Sequence, residues 1–295
     1  MSAPAGAVYD RGYRPYEGAR GGHRSAVAAL YRATLRRALG FRRPWRQKVL
    51  PWLLLGIVTI PAAVNVGIAY VTRDTPLDTI SIITYREYVG VSSALLLFVA
   101  LTAPDVLCPD RRQRVLPLIF ARPLTGVDYA LAKLGAIFTL LFAFSFLPQV
   151  VLFVGQLLVS SGGALDYLTA NSAVLWKVPV AVALLSLYYA SLGLAIASLT
   201  GRRIVAGASF LGLLLVSSAV AGILRAGRGT SAATDVANLL AVPIYVRDLV
   251  FLGHLDPRIR LSFVDGAGAL AVAVYLAVVA ASLAVLLWRY RHAEA

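Results

Sequence analysis

Charged residues are scarce in this sequence, and their scarcity bounds the class of protein. Only 14% of the 295 residues are charged and 59% are hydrophobic, with a mean hydropathy of +0.75. Soluble domains carry about 25% charged residues, so the composition predicts a chain whose main solvent is lipid. The single cysteine, Cys108, excludes an intramolecular disulfide and a thiolate metal cluster. The three histidines are far apart in the sequence, so we expect no metal and no other cofactor.

Sequence motifs for nucleotide hydrolysis and for common hydrolases are also lacking. No G-x-x-x-x-G-K-[ST] motif occurs, and none of the three lysines, Lys48, Lys133 and Lys177, follows a glycine-rich loop. HExxH and GxSxG are missing as well. We therefore expect that this chain is not an enzyme and that any ATP hydrolysis belongs to a partner subunit.

Six long apolar runs dominate the sequence. A helix of about 20 residues covers the roughly 30 Å hydrocarbon core of a bilayer. The runs predict an all-α integral membrane protein whose transmembrane domain occupies residues 49–295. The spans are expected at residues 49–71, 88–107, 127–159, 174–199, 204–224 and 266–288. Two pairs of small residues four positions apart, Gly193 with Ala197 and Ala208 with Gly212, favour close helix contacts.

Basic residues concentrate on one side of this arrangement. Residues 1–48 form a basic tail, in which residues 25–44 combine apolar residues at helical spacing with interleaved arginines. That pattern predicts an amphipathic helix in the membrane interface. The connections at Arg111 and at Arg202–Arg203 are also basic, so the positive-inside bias predicts that both termini are cytoplasmic. We interpret the net charge of +14 as this topology signal plus attraction to anionic membrane lipid, not as nucleic-acid binding.

The longest connection, residues 225–264, follows the fifth span. Part of it is apolar, but Pro243, Arg247 and Asp248 interrupt that part, so it is too short and too charged to span. We predict one or two short helices there that dip into the outer interface.

An arginine-rich stretch, residues 108–126, separates the second and third spans. It opens with three arginines among four residues, Arg111, Arg112 and Arg114. An amphipathic segment follows, with Pro117 suited to the first turn of a helix, and Arg122–Pro123 ends it. A connection that only had to cross water would not need this pattern, which predicts a short surface helix that another protein contacts.

This stretch resembles the loop between the second and third spans in permease subunits of type-2 ABC exporters. The family pattern reads acid-Arg-x-x-Gly-Thr-Leu, a few apolar residues, x-Pro-apolar-Ser/Thr, and a basic residue at the head of the next span. The residues in register are Asp110, Arg111, Leu116, Arg122, Pro123, Leu124, Thr125 and Lys133. Two residues depart from the pattern, because Arg114 and Val115 stand where the family usually has Gly and Thr.

The resemblance implies an architecture and a set of partners. It implies an N-terminal elbow helix at residues 25–44, a cytoplasmic coupling helix between spans 2 and 3, and re-entrant outer helices between spans 5 and 6. The partners would be a separate ABC ATPase subunit and a second permease chain, identical or different, around a pathway for a hydrophobic or amphipathic substrate. The location would be the plasma (inner) membrane, and the preference for arginine over lysine points to a bacterial source.

The resemblance also implies which residues couple to the ATPase. They are Asp110, Arg111, Arg112, Arg114, Leu116, Ile119, Phe120, Arg122 and Pro123. The arginines would contact carboxylates at the rim of a groove in the ATPase. The groove would be filled by Val115, Leu116, Leu118, Ile119 and Phe120. The alternative interpretation is a lipid-facing interfacial helix whose arginines contact phosphates.

Two other functions stay open on the sequence. An ion-coupled secondary carrier usually keeps a buried ionisable group in its pathway, and no charged residue falls near the middle of a predicted span. A non-transporting assembly or sensor subunit would not need the amphipathic loop. The polar span residues Asn65, Gln149 and Gln156 are candidates for lining a pathway, although such residues more often hydrogen-bond a neighbouring helix.

Overall fold

The computed structural model describes the chain in eight segments, and every regular element in them is a helix. The segments are residues 21–40, 45–73, 84–89, 93–121, 123–228, 232–257, 260–263 and 266–291. Our predictions for residues 1–20 and for Arg122 lie outside the described residues. No strand occurs in the described segments, which confirms the predicted all-α class.

Twelve α-helices and one 3-10 turn make up the described part of the fold. The first six are α1 (His23–Ala38), α2 (Trp45–Thr72), α3 (Tyr85–Tyr88), α4 (Ser93–Arg112), α5 (Leu116–Phe120) and α6 (Gly126–Val159). The others are α7 (Ala164–Ala170), α8 (Val174–Leu199), α9 (Arg203–Arg228), α10 (Ala232–Val236), α11 (Val242–Leu252), the 3-10 turn (Arg260–Phe263) and α12 (Ala267–Arg291). Six helical stretches are long and apolar enough to cross a membrane. They correspond to helices α2, α4, α6, α8, α9 and α12. The predicted number of spans is therefore confirmed, and the six helices indicate a multi-pass membrane protein.

Helix α8 lies at the centre of the bundle, between α4, α6, α9, α11 and α12. Glycines let α4 approach α8 and α9 closely. A Cβ atom added at Gly193 would lie 2.8 Å from the side chain of Val99, and one at Gly207 would lie 2.5 Å from the carbonyl oxygen of Ala100. The prediction for Gly193 is confirmed, whereas Gly212 has no neighbouring atom within 4 Å of such a Cβ. Spacing alone selected the wrong glycine of α9, because the contact face depends on how that helix is rotated toward α4.

The two regions outside the spans for which we predicted helices, residues 25–44 and residues 225–264, also contain helices. Helix α1 packs on α6 and α4, which is the position from which it contacts the site described below. In the connection after α9, helix α11 packs on α8 and α12 and buries six of its residues. The hydroxyls of Tyr188 and Tyr189 in α8 donate to the carbonyls of Leu239 and Leu240, at 2.9 and 3.2 Å. These bonds attach the segment before α11 to the centre of the bundle.

Candidate functional site at the α4–α5–α6 corner

Helix α4 continues into the region that the sequence predicted to be loop. Its last residue is Arg112, so Asp110 and Arg111 are helical. The helix ends in a Schellman motif, in which the Val115 N–H donates to the Asp110 carbonyl at 3.1 Å and the Arg114 N–H donates to the Arg111 carbonyl at 3.2 Å. Arg114 has φ of 52° and is the only non-glycine residue with positive φ among the described residues. It occupies the left-handed position that this motif usually gives to glycine, and it is one of the two positions at which the sequence departs from the pattern that it resembles.

We expect Arg114→Gly to stabilise the protein by about 0.5–1 kcal/mol. The left-handed conformation is unfavourable for a residue with a Cβ atom, and the arginine side chain is exposed, so its loss removes little packing. An SDS unfolding titration in mixed micelles measures the change. Gln113→Gly, one residue earlier and without positive φ, is the matched control and should lower stability by a similar amount. Equal effects of the two changes would contradict the strain at Arg114.

Asp110 lies inside the bundle rather than in a solvated loop. It is 4% exposed, and its carboxylate accepts from Lys133 Nζ at 2.7 Å, from the Tyr129 hydroxyl at 2.8 Å and from Arg37 Nη1 at 2.6 Å. Lys133 is itself 3% exposed and also donates to the carbonyl of Val106 at 3.2 Å. The cluster joins α1, α4 and α6. Asp110 is therefore placed to hold three helices together and not to contact a partner directly.

Arg111 also turns inward. Its guanidinium donates to the carbonyl of Ser198 at the end of α8. Nearby, Arg203 at the start of α9 pairs with Asp105 of α4 at 2.6 Å. The turn between α8 and α9 is thus attached to the last turns of α4, and this end of the bundle is tied together by ionic contacts.

Helix α5 covers the end of the bundle with one face and leaves the other open. Leu116, Ile119 and Phe120 are half-buried against the main core, and the Phe120 ring meets the Tyr129 ring edge-on at 6.1 Å between centroids. Leu118 is 72% exposed. Leu116, Ile119 and Phe120 therefore cover apolar surface of their own chain with part of their side chains, and their contact with a partner stays a prediction.

The exposed surface of this corner is small and basic. It consists of Arg112, Gln113, Arg114, Pro117, Leu118 and Pro123, and we call it the α5 surface. Leu124, next to it, is buried. This surface carries two cations, Arg112 and Arg114, and the exposed leucine Leu118, a combination that suits an acidic and apolar partner surface.

The start of α6 is firmly anchored. Thr125 and Asp128 form a capping box, with the Asp128 N–H donating to Thr125 Oγ1 at 3.2 Å and the Thr125 N–H donating to Asp128 Oδ2 at 2.9 Å. His23 of α1 meets the same carboxylate at 2.8 Å. Helix α6 thus begins at Gly126, one residue before the predicted start near residue 127, and the cap at its start also contacts α1 through His23.

The three polar span residues lie away from this corner. Gln156 donates to Asn65 Oδ1 at 2.9 Å, which joins α6 to α2 in the way that the helix-packing interpretation predicts. Gln149 is different, because both polar atoms of its side chain are buried without a hydrogen-bond partner in the part of the chain that is described. The structure therefore does not gather the three residues into one site.

Sequence reasoning missed two members of the Asp110 cluster. Arg37 is 73 positions from Asp110, and Tyr129 is 19 positions away. The only signal for Arg37 was its place on the amphipathic first helix, which it shares with other arginines. Among the described residues, no group of three or more His, Cys, Asp or Glu side chains could hold a metal ion.

No protein-family model matches this chain, and a search of curated proteins also finds no match. The fold and the corner together define a multi-pass α-helical membrane protein with a small basic surface on a buried ionic cluster.

Proposed function

We propose that this chain is the permease subunit of an ATP-driven exporter of the type-2 ABC class. In this proposal a separate ATPase subunit binds the α5 surface from the cytoplasm, both termini are cytoplasmic, and two permease chains enclose a pathway for a hydrophobic or amphipathic substrate. The resemblance of residues 110–133 to the family pattern supports it. The exporter would reside in the plasma (inner) membrane of a bacterium.

The observation that carries the proposal is the position of α5 at this corner. It is a five-residue helix between two predicted spans, with an exposed Leu118, and it follows the exposed Arg112 and Arg114. A partner that covers the exposed Leu118 side chain removes its apolar surface from water, which stabilises the complex. The arginines supply charge complementarity, which speeds association and selects partners more than it adds affinity.

The contacts behind α5 suit it to transmit force. Phe120 packs on Tyr129, whose hydroxyl donates to Asp110, and Asp110 in turn holds Lys133 and Arg37. A displacement of α5 therefore reaches α1, α4 and α6 through close packing and buried ionic contacts, without a flexible element between them. Packed elements of this kind can carry coupling between distant sites when they have two discrete arrangements.

We expect Arg112→Glu/Arg114→Glu and Leu118→Asp each to reduce co-purification with the proposed ABC ATPase partner at least tenfold. Both changes alter exposed side chains, and the first reverses the charge that would face the ATPase. Burying an unpaired charge at an interface costs several kcal/mol, and about 1.4 kcal/mol is tenfold in affinity. Affinity-tagged permease in detergent, with the retained ATPase quantified by immunoblot, gives the measurement.

Arg32→Glu/Arg36→Glu is the matched control, because it makes the same change in net charge on the exposed residues of α1. It should retain the ATPase. If the wild-type chain binds no ATPase, the exporter proposal fails. If both double variants lose the ATPase equally, the partner responds to overall charge and the α5 surface is not its docking site.

The buried Asp110–Lys133 pair favours a second candidate, an ion-coupled secondary carrier. Ionisable groups inside a membrane protein are expensive and often serve ion pathways. The pair lies near the ends of α4 and α6, however, and Arg37 and Tyr129 complete its contacts. Proteoliposomes separate the two functions, since a carrier moves substrate with an ion gradient alone, whereas the exporter needs the ATPase and ATP.

A further inference from the structure

A cavity of about 230 Å³ lies between the second half of α6 and the first half of α8. The rings of Tyr85, Phe146 and Phe153 form an aromatic wall, and Val150 and Leu175 lie on the exposed side of the lining. The cavity therefore opens on the outer surface of the bundle. The volume is below the range of about 300–1,000 Å³ for sites of drug-sized ligands, so it suits a small molecule or one segment of a longer one.

Gln149 is the one side-chain amide in the lining. It is 2% exposed, and neither its Oε1 nor its Nε2 has a hydrogen-bond partner among the residues that the structure describes. Buried polar groups are almost always paired, because an unpaired one loses its hydration and receives nothing in return. Gln156, two turns along the same helix, follows that rule through its bond to Asn65. The amide of Gln149 is therefore a buried polar group that none of the described residues pairs.

The rest of the lining limits what that partner is. None of the lining residues is charged, so a ligand with a full charge would be buried without a counter-ion. The Tyr85 hydroxyl, the other side-chain polar group in the lining, already bonds the Tyr167 hydroxyl at 2.6 Å. A ligand that both gives and accepts a hydrogen bond at Gln149 matches this lining, provided that the rest of it is apolar.

Water alone fits this cavity poorly. A buried water needs about two to four polar partners, and in this otherwise apolar lining only the two amide atoms of Gln149 are free, because the Tyr85 hydroxyl is already bonded. We infer that the cavity is a binding site for an uncharged amphiphile, an apolar body with one hydroxyl or amide group that bonds Gln149. The site stands on this chain alone and does not need the proposed ATPase.

Photolabelling of the purified full-length chain tests the inference. The probes are an aliphatic alcohol with a diazirine on its chain and the matching hydrocarbon without the hydroxyl, and labelled peptides are mapped by mass spectrometry. We expect the alcohol to label the lining, at Phe146, Val150 or Phe153, and to be displaced by octanol at a lower concentration than by octane. The alcohol should be favoured about fivefold over the hydrocarbon, the factor that one hydrogen bond supplies. Labelling spread evenly over the exposed apolar surface, or unaffected by octanol, would overturn the inference.

Two variants distinguish the contribution of the Gln149 amide to binding from that of the apolar lining. Gln149→Leu should lose the preference for the alcohol while keeping a melting temperature at or above that of the wild type, because it removes an unpaired amide. A lower melting temperature would show that the amide has a structural partner and would overturn the inference. Gln156→Leu is the control on the same helix, outside the cavity lining, and should keep the preference.

The ligand could come from the bilayer or from solution. Labelling in detergent and in phosphatidylcholine nanodiscs containing diacylglycerol distinguishes these sources. Diacylglycerol carries one free hydroxyl on an apolar body, and if such a lipid is the occupant, it suppresses labelling in the nanodiscs. Unchanged labelling assigns the site to a small molecule from solution, and both results keep the site.

Discussion

Asp110→Ala is expected to destabilise the folded bundle by about 3–5 kcal/mol, the cost of removing one partner from a buried ion pair. Lys133 would then lie buried with its ammonium group on the carbonyl of Val106 and no carboxylate beside it. The Tyr129 hydroxyl would lose its acceptor at the same time. An SDS unfolding titration in mixed micelles, compared with the wild type, measures the loss.

A second substitution identifies the cause of that loss. Asp110→Ala combined with Lys133→Met should recover most of the stability, because replacing both members of a buried pair by apolar groups is often close to neutral. Arg37 is partly exposed and can turn toward solvent when the carboxylate is gone. Arg112→Ala, on the exposed side of the same helix end, is the control and should change stability by less than about 0.5 kcal/mol. A double variant no more stable than Asp110→Ala would contradict the pairing argument.

Asp248→Ala is expected to have an effect of the same size, about 3–5 kcal/mol, at the opposite end of the bundle. Asp248 is 1% exposed, and its Oδ1 accepts from Arg247 Nη2 at 2.6 Å and from Arg247 Nε at 2.9 Å. Arg247 is 8% exposed and also donates to the carbonyl of Val89 at 3.0 Å. Removing the carboxylate leaves a buried guanidinium whose charge is uncompensated.

The loss should appear as a lower melting temperature and as protease cleavage between α9 and α12, because α11 would be released from the bundle. Asp256 does not supply a replacement carboxylate, because it already pairs with Arg86 Nη1 at 2.7 Å. Asp166→Ala on the exposed helix α7 removes a carboxylate without a buried partner and should leave both measurements nearly unchanged. Cleavage at the wild-type rate in Asp248→Ala would show that α11 is held by its apolar contacts alone.

The pair of Arg247 and Asp248 shows a point that the sequence did not decide. In the sequence these two charges interrupt an apolar run, and we interpreted them as features of a helix at the outer interface. In the structure α11 buries both, together with Pro243 and Tyr245, against α8 and α12. A charge in an apolar run can be an exposed interruption or a buried pair, and only the partner decides between them.

Asp110 is a second residue whose side-chain surroundings the sequence did not reveal. The resemblance placed it in register with a family motif, in the predicted connection between the second and third spans. The helix continues past it, and Arg37, Tyr129 and Lys133 surround its carboxylate. Arg114 is the opposite case, because its departure from the family's glycine marks the position where the backbone is left-handed. A motif can therefore indicate backbone shape more reliably than side-chain surroundings.

The sequence by itself determined the membrane class, the helical secondary structure and the number of spans. Hydropathy is a local property, since each run of about 20 apolar residues must satisfy its backbone hydrogen bonds as a helix in lipid. Only the tertiary structure decided which polar groups pair, which glycine admits a neighbouring helix and which amide is left unpaired. Those outcomes depend on how each helix is rotated and on contacts between distant residues, such as Arg86 with Asp256, 170 positions apart. No local pattern encodes a contact of that range.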